Sequence, residues 1–279
     1  MPELPEVETV RRGLDKVTLN QEITGGDVLL SRTIAYPLSN EEFLAGLQKN
    51  TIANWQRQGK YLLAQLSNTS HLGVHLRMTG QLLWLHPTEP LHKHTRVRLF
   101  FGGDRELRFV DQRTFGQMWW VPKGKAIASV ITGLTKLGLD PFSPEFSVEY
   151  LVAKLKNSRR SIKAALLDQA IIAGIGNIYA DEALFIAKVP PATLCTCLQI
   201  EQIKELKAAI IRVLEASIAA GGTTFSNFLN VQGTNGNYGG VAWVYNRTGN
   251  PCRICGTPIE RIRIAGRSSH FCPQCQGKG

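Results

Sequence analysis

Four cysteines near the C-terminus restrict the fold of this chain more than any other feature. Cys252 and Cys255 form one C-x2-C pair, and Cys272 and Cys275 form a second after sixteen residues. Two such pairs are typical of a site in which four thiolates hold one tetrahedral zinc ion. The alternative is a pair of disulfides in an exported protein, but the acidic N-terminal sequence does not resemble a signal peptide. We therefore predict one structural Zn²⁺ and a cytoplasmic location.

The residues between the cysteine pairs predict a β-hairpin. Ile262 and Ile264 alternate with arginines, residues 265–269 are typical of a turn, and His270 begins the expected return strand. Arg267 then lies near the tip. A hairpin this short is marginal without the metal. Its arginines favour a finger that binds nucleic acid, and the alternative is a zinc ribbon that packs one domain on another.

The charge of the chain points to a polyanionic partner. The 279 residues include 32 Lys and Arg against 22 Asp and Glu, which gives a net charge of +10, and the pI is about 9.5. Nucleic acid is the most common partner of such proteins, although a basic protein without one is the alternative. No apolar run reaches the roughly 18 residues of a membrane span. The length favours two domains.

The hydrophobic pattern changes along the chain. Residues 5–16 predict a helix. Short β-rich runs with turns follow up to residue 121, among them 61–66 and 117–121, which indicates a β-sandwich or barrel. Residues 133–146 resemble a linker. Helical patterns follow over 147–155, 161–172, 178–185 and, most clearly, 199–220, and then a glycine-rich loop over 223–240. We predict domains at 1–132 and 147–243, with the finger at 244–279.

The N-terminus has the composition of an amine nucleophile. Removal of Met1 would expose Pro2 as a secondary amine, and an α-amino group with its ordinary pKa of about 8 is partly neutral at neutral pH. Attack on a sugar C1′ would give an iminium ion that has no N–H proton to lose and therefore withdraws electrons. Glu3 and Glu6 could move protons beside it. The alternative is ordinary helix capping, since proline and acids are common in a first helical turn.

Two further groups of residues could contact DNA. The turn Gly174-Ile175-Gly176-Asn177 opens a helix, which is a geometry that binds phosphate, although it also suits plain helix packing. In the β-rich half, an arginine and two apolar residues could enter a duplex from which a base is extruded. Taken singly, each of these residues is weak evidence for DNA binding, because Phe and Met side chains usually lie in the protein core and Lys side chains are usually solvated. The single residues in question are Lys60, Met78, His94, Arg113 and Phe115.

Together these motifs resemble the bacterial formamidopyrimidine-DNA glycosylases along essentially the whole chain. The resemblance is carried by the start Met1-Pro2-Glu3-Leu4-Pro5-Glu6, by the Gly-Ile-Gly-Asn turn and by the finger around Arg267. Leu4 stands where the related endonuclease VIII branch typically has glycine. The resemblance implies an α+β multi-domain fold: an N-terminal β-sandwich flanked by helices, then a helix-two-turns-helix domain with the zinc finger. A monomer would bind damaged duplex DNA in the cleft between the domains.

The resemblance also implies roles for individual residues. The reaction would be excision of 8-oxoguanine and formamidopyrimidines, followed by β,δ-elimination at the abasic site. Pro2 would form the Schiff base, Glu3 would act as acid and base, Lys60 would serve β-elimination and Arg267 δ-elimination. Met78, Arg113 and Phe115 would fill the void left by the flipped nucleotide, and the loop 223–240 would cover the base. The other DNA-binding residues would be His94, Asn177, Tyr179, Arg159 and Glu6.

Two alternatives remain at this point. A protein with the same finger and cleft could bind damaged DNA without catalysis, although Pro2, Glu3 and Lys60 are all present. An endonuclease VIII-like enzyme would instead act on oxidised pyrimidines.

Overall fold

The computed structural model describes residues 1–223 and 229–277, which form two compact units. The first contains residues 1–135 and 221–237, and the second contains residues 136–220 and the chain from residue 238. Part of the predicted loop, residues 224–228, lies outside the described residues. The domain boundaries given above stay a prediction. Within the described ranges, no helix has both the length and the apolar character that a membrane span requires.

The first unit contains two β-sheets and two main helices. Helix α1 (Leu4–Thr18) is amphipathic, and its residues Val7, Val10 and Leu14 are fully buried. The strands are β1 (Ile23–Val28), β2 (Ile34–Tyr36), β3 (Ile52–Gln58), β4 (Tyr61–Leu66), β5 (His71–His75), β6 (Gly80–Leu85), β7 (Thr95–Phe101), β8 (Arg105–Asp111) and β9 (Gln117–Val121). Helix α2 (Asn40–Leu47) follows β2, and a short α3 (Ile127–Val130) follows β9.

One hydrophobic core holds the two sheets of the first unit together. The four-stranded sheet has the order β1-β7-β8-β6, and the five-stranded sheet has the order β2-β9-β5-β4-β3. Apolar side chains from both sheets and from α1 lie in a single buried cluster, for example Leu62, Leu99 and Val10. Two sheets that bury their inner faces against each other form a sandwich. The predicted β-sandwich flanked by helices is therefore confirmed.

Two strands of the five-stranded sheet were not predicted. Strand β3 reads Ile-Ala-Asn-Trp-Gln-Arg-Gln, and only Ile52 and Trp55 of it are buried. Because most of its residues are polar, its sequence does not show the alternation of apolar and polar residues that marks a strand. Trp55 and Arg57 nevertheless pair regularly with β4. Strand β2 has three residues and joins the sheet through a parallel pairing with β9. Both strands depend on partners distant in sequence, so local composition does not reveal them.

The second unit is helical and carries the hairpin. Helix α5 ends at Leu166, shorter than the pattern over 161–172 predicted. It ends because the Asp168 carboxylate accepts a hydrogen bond from the Ala170 N–H (2.9 Å) and forms a turn. The helices are α4 (Val148–Leu155), α5 (Ile162–Leu166), α6 (Asn177–Ile186), α7 (Ile200–Ala219) and α8 (Pro273–Gln276), and the strands are β10 (Glu260–Ile264) and β11 (Arg267–Phe271).

The hairpin turn is tighter than expected. Ala265 and Gly266 both have positive φ (48° and 76°), and Ile264 pairs directly with Arg267. Two residues with positive φ match the twist of the flanking strands. The return strand therefore begins at Arg267 rather than at His270. Arg267 is exposed at the tip, as predicted.

Candidate active site and zinc site

The N-terminal residues are buried at the start of α1. Pro2 and Glu3 precede the helix, and Glu3 is 3% exposed. The Glu3 N–H donates a hydrogen bond to Glu6 Oε2 (2.8 Å). This contact satisfies one of the N–H groups that a helix start leaves unpaired. The backbone beside Pro2 is thus fixed by the first turn of the helix.

Glu6 also fixes the start of the glycine-rich loop. It is fully buried, and its Oε1 accepts a hydrogen bond from the Thr223 N–H (2.9 Å). The two oxygens of one carboxylate therefore hold backbone groups that are far apart in sequence. Within the first unit, Glu6 has the contacts of a positioning residue. Its suggested roles in proton transfer and DNA binding stay predictions.

The environment of the N-terminus favours a neutral amine. Burial is the main cause that lowers the pKa of the Met1 α-amino group, and the nearby cations of Lys60 and Arg113 lower it further. The carboxylates of Glu3 and Glu6 act in the opposite direction. Burial disfavours a charged ammonium, and a neutral amine is the nucleophilic form. The site therefore has the electrostatics that an amine nucleophile requires.

Lys60 lies on a turn that is tied to α1. It is 6% exposed and follows Gly59, which has a φ of +56°. Arg57 donates to the Gly59 carbonyl oxygen (3.2 Å) and also to Glu8 Oε2 in α1 (3.3 Å). Arg57 and Glu8 thus connect the turn that carries Lys60 to the helix that follows Pro2. The roles of Arg57 and Glu8 were not predicted, because the two residues are 49 positions apart and no local pattern in the sequence links them.

His75 is a third residue that the sequence did not indicate. It is buried in β5, and its Nδ1 accepts a hydrogen bond from the Arg77 N–H (3.0 Å). Burial, followed by the cations of Arg77 and Lys60, lowers the pKa of His75 to about 3. The imidazole is therefore neutral at physiological pH, with its proton on Nε2. The histidines at both ends of β5 gave no local signal that one of them lies near Lys60.

The predicted void-filling residues lie around one anchored turn. The Arg113 guanidinium lies 5.2 Å from the centre of the Phe115 ring, and Phe115 is 54% exposed. The buried Asp111 carboxylate accepts hydrogen bonds from the Arg113 N–H (3.2 Å) and the Gly116 N–H (2.7 Å). Thr79, which follows Met78, accepts a hydrogen bond from the same Arg113 N–H (2.9 Å). An exposed aromatic ring held under a cation is suited to contact a ligand.

His94 lies beside the same turn. Its Nδ1 is 3.0 Å from Arg96 Nη2, and Arg96 Nε donates to the Asp111 carbonyl oxygen (2.8 Å). A pocket of about 530 Å³ in the first unit is lined in part by Lys93, His94, Gln112 and Asn235. Polar and basic side chains thus line one part of this pocket, and Leu83 and Val110 are among the apolar residues that line the rest.

The remaining predicted DNA contacts belong to the second unit. Asn177 begins α6, and its Nδ2 donates to the Ser268 carbonyl oxygen (2.9 Å), which leaves a second amide hydrogen for a phosphate. Arg159 and Arg267 are exposed. The Tyr179 side chain is fully buried, and its hydroxyl lies 2.5 Å from Ser217 Oγ. The structure does not bring this side chain to the surface.

The four cysteines are arranged to hold one metal ion. Their sulfur atoms all lie within 4.8 Å of one another. Two of the separations are 3.9 Å (Cys252–Cys275) and 3.5 Å (Cys255–Cys272). A tetrahedral site with zinc–sulfur bonds of about 2.3 Å requires sulfur–sulfur separations of about 3.8 Å. The ligand set therefore fits one structural Zn²⁺, as predicted.

Three family models match successive parts of the chain. They are the formamidopyrimidine-DNA glycosylase N-terminal domain (residues 1–118), the formamidopyrimidine-DNA glycosylase H2TH domain (137–228) and a zinc finger found in FPG and IleRS (249–277). The expected order of sandwich, helix-two-turns-helix domain and zinc finger is thereby confirmed.

Relatives match over the whole length. The formamidopyrimidine-DNA glycosylase of Nostoc punctiforme is 74% identical, over 99% of this chain and 96% of its own. The MutM (FPG) protein of Thermus thermophilus is 38% identical over both full lengths, with a TM-score of 0.89. A Lactococcus lactis FPG mutant bound to Fapy-dG-containing DNA is 34% identical over 99% of this chain and 100% of its own, with a TM-score of 0.91. With these family models and full-length relatives, and with its four-cysteine finger, the chain belongs to the formamidopyrimidine-DNA glycosylase family.

Proposed function

We propose that this protein excises oxidised purines from duplex DNA through the amine of Pro2 and then cleaves the strand at the abasic site. The observation that carries the proposal is the N-terminal site: Pro2 lies between the buried Glu3 carboxylate and the Met1 α-amino group, whose pKa is lowered mainly by burial. The family supports it, since its members are DNA glycosylases and abasic-site lyases of base excision repair. The relevant amine is exposed once Met1 is removed.

The first step replaces the damaged base by the enzyme. The Pro2 nitrogen attacks C1′ of the flipped nucleotide, the bond between C1′ and the base breaks, and the base leaves with a proton. Opening of the sugar ring moves one electron pair to O4′ and gives an iminium ion. Glu3 is the carboxylate closest in sequence to the amine, and we assign it the proton transfers. We expect Lys60 to assist, since its cation lies near enough to the N-terminus to lower the pKa of the Met1 α-amino group.

The next steps cleave the strand. The iminium ion makes the C2′ proton acidic, so a base removes it and the 3′-phosphate leaves (β-elimination). A second proton loss, at C4′, then expels the 5′-phosphate (δ-elimination), and hydrolysis of the iminium releases the amine. We assign Lys60 to the first elimination and Arg267 to the second. The exposed position of Arg267 at the hairpin tip gives its guanidinium access to a phosphate.

DNA binding involves both units of the chain. Met78, Arg113 and Phe115 would occupy the space left by the flipped nucleotide, where Arg113 offers donors to the acceptors of the unpaired cytosine. Residues 223–240 would cover the base. Zinc, held by the four cysteines, stabilises the finger. The phosphate contacts we propose are His94, Arg159, Asn177, Tyr179 through its backbone, and Arg267.

The remaining expectations concern assembly and location. We propose that the protein acts as a monomer in the bacterial cytoplasm, where it associates with the nucleoid through DNA. Its net charge of +10 favours this association.

The substrate preference is tested with two duplexes. We expect faster excision from an 8-oxoguanine:cytosine duplex than from a matched thymine-glycol duplex, measured as single-turnover product formation. An undamaged duplex is the control. A preference for thymine glycol would instead indicate an endonuclease VIII-like enzyme.

The role of Lys60 gives a prediction for pH dependence. We expect the Lys60→Met variant to require a higher pH for borohydride trapping of the covalent intermediate. The Lys60 cation lowers the pKa of the Met1 α-amino group, and we expect the same effect on the Pro2 amine that replaces it once Met1 is removed. Without this cation the pKa of the amine rises, so less amine is neutral at a given pH. In a plot of trapping rate against pH, the rise on the acid side (the acid limb) then moves to higher pH. Lys60→Arg keeps the charge and should keep the limb in place, and an unmoved limb in Lys60→Met would contradict the prediction.

A further inference from the structure

Helix α6 carries two adjacent acids that the proposed chemistry does not use. Asp181 and Glu182 are both fully buried. Glu182 accepts hydrogen bonds from the backbone N–H groups of Trp243, Val244 and Tyr245 (2.8–2.9 Å), which lead into the finger. Buried carboxylates are costly unless they are fully paired. Neither solubility nor helix formation explains why these two acids are buried next to the finger.

Asp181 holds the return strand of the hairpin. Its Oδ1 accepts a hydrogen bond from Ser269 Oγ (2.8 Å), and its Oδ2 accepts one from the His270 N–H (2.9 Å). His270 Nδ1 lies 3.0 Å from the same Oδ2. Asn177, one helical turn earlier in α6, holds the Ser268 carbonyl oxygen. Three consecutive residues of β11 are thus bonded to α6 by side chains, directly after Arg267.

Lys163 completes this network. Its Nζ is fully buried, donates to Asp181 Oδ1 (2.6 Å) and also donates to the Asn177 carbonyl oxygen (2.8 Å). One ammonium therefore joins Asp181 to the first turn of α6. Charge-assisted hydrogen bonds of this kind are short and directional, so they define position more closely than apolar packing does.

We propose that Asp181 and Ser269 position Arg267 for δ-elimination. Arg267 is the first residue of β11 and is exposed, while the strand behind it is locked to the helix that presents Asn177. The network therefore sets the distance between Asn177 and Arg267, the two groups assigned to the phosphates. A displacement of about 1 Å in such a group can reduce a rate about 100-fold. This inference rests on the proposed function, in particular on the role of Arg267.

Adjacent serines provide a matched test. Ser269 is fully buried and bonded to Asp181, whereas the Ser268 side chain is exposed. Neither is a zinc ligand. We expect Ser269→Ala to reduce the rate of δ-elimination on a preformed abasic duplex roughly tenfold, so that the β-elimination product accumulates. Borohydride trapping at Pro2 and one bound zinc per chain should stay unchanged. Ser268→Ala should match the wild-type protein.

Asp181→Asn is the stronger variant. It places an amide NH₂ group against donors, so we expect a larger accumulation of the β-elimination product than in Ser269→Ala. General destabilisation would lower trapping and both eliminations together, whereas a positioning role changes their ratio. Zinc content shows whether the variant is folded, and Ser269→Ala decides the question alone if it is not. A wild-type product ratio in Ser269→Ala overturns the inference. Absence of adduct and products in the wild-type protein would instead overturn the proposed function.

Discussion

A chain with an uncleaved N-terminal extension before Met1 should form no borohydride adduct with an abasic duplex. The Pro2 nitrogen is then an amide, whose lone pair is delocalised into the carbonyl group, and it cannot attack C1′. The untagged chain should give one adduct per molecule, and peptide mass analysis should locate it at Pro2. N-terminal mass analysis of the same sample should show that Met1 has been removed.

The control carries the same extension at the C-terminus and should form the adduct normally. Both tagged chains should bind the abasic duplex with similar Kd, since the arginines and the finger are unchanged. Retention of binding without an adduct would thus separate chemistry from recognition. An untagged chain with Pro2 exposed that binds but forms no adduct would favour the alternative of a damage-binding protein without catalysis. An adduct on the blocked chain would exclude Pro2 as the nucleophile.

Loss of zinc should unfold the finger and abolish δ-elimination. Few apolar residues hold this segment, namely a small cluster that includes Ile259 and Phe185 together with Cys252 and Cys272. Zinc binding supplies about 10–16 kcal/mol to the folding of small cysteine sites, which is more than such a cluster contributes. We expect Cys255→Ser to lose bound zinc, to weaken DNA binding and to lose protection of backbone amides in β10 and β11 from hydrogen exchange.

Cys197→Ser is the matched control, because Cys197 is also exposed but lies outside the four-sulfur cluster. It should keep zinc, affinity and the wild-type product ratio. In Cys255→Ser the first unit should keep its own amide protection, since its core contains none of the finger residues. Full zinc content and wild-type affinity in Cys255→Ser would contradict the assignment of the ligands.

Several elements could be predicted because their signals are local. Strands β4 and β9 have the predicted bounds, since each is a mostly apolar run of five or six residues. The finger could be predicted because metal ligation requires a fixed cysteine spacing, and Arg267 lies at its tip because the turn precedes it directly. The polar strand β3 was missed, as its inner face has only two buried side chains to mark it.

The sequence by itself therefore determined the zinc site, the position of Arg267 on the hairpin and the family to which the chain belongs. These depend on covalent spacing and on periodicity over a few residues. Only the tertiary structure decided that Glu6 holds Thr223, that His75 is buried and neutral near Lys60 and that Asp181 holds Ser269. The physical reason is that burial and hydrogen bonding set the charge and the orientation of a side chain. Both depend on which distant residues pack against it.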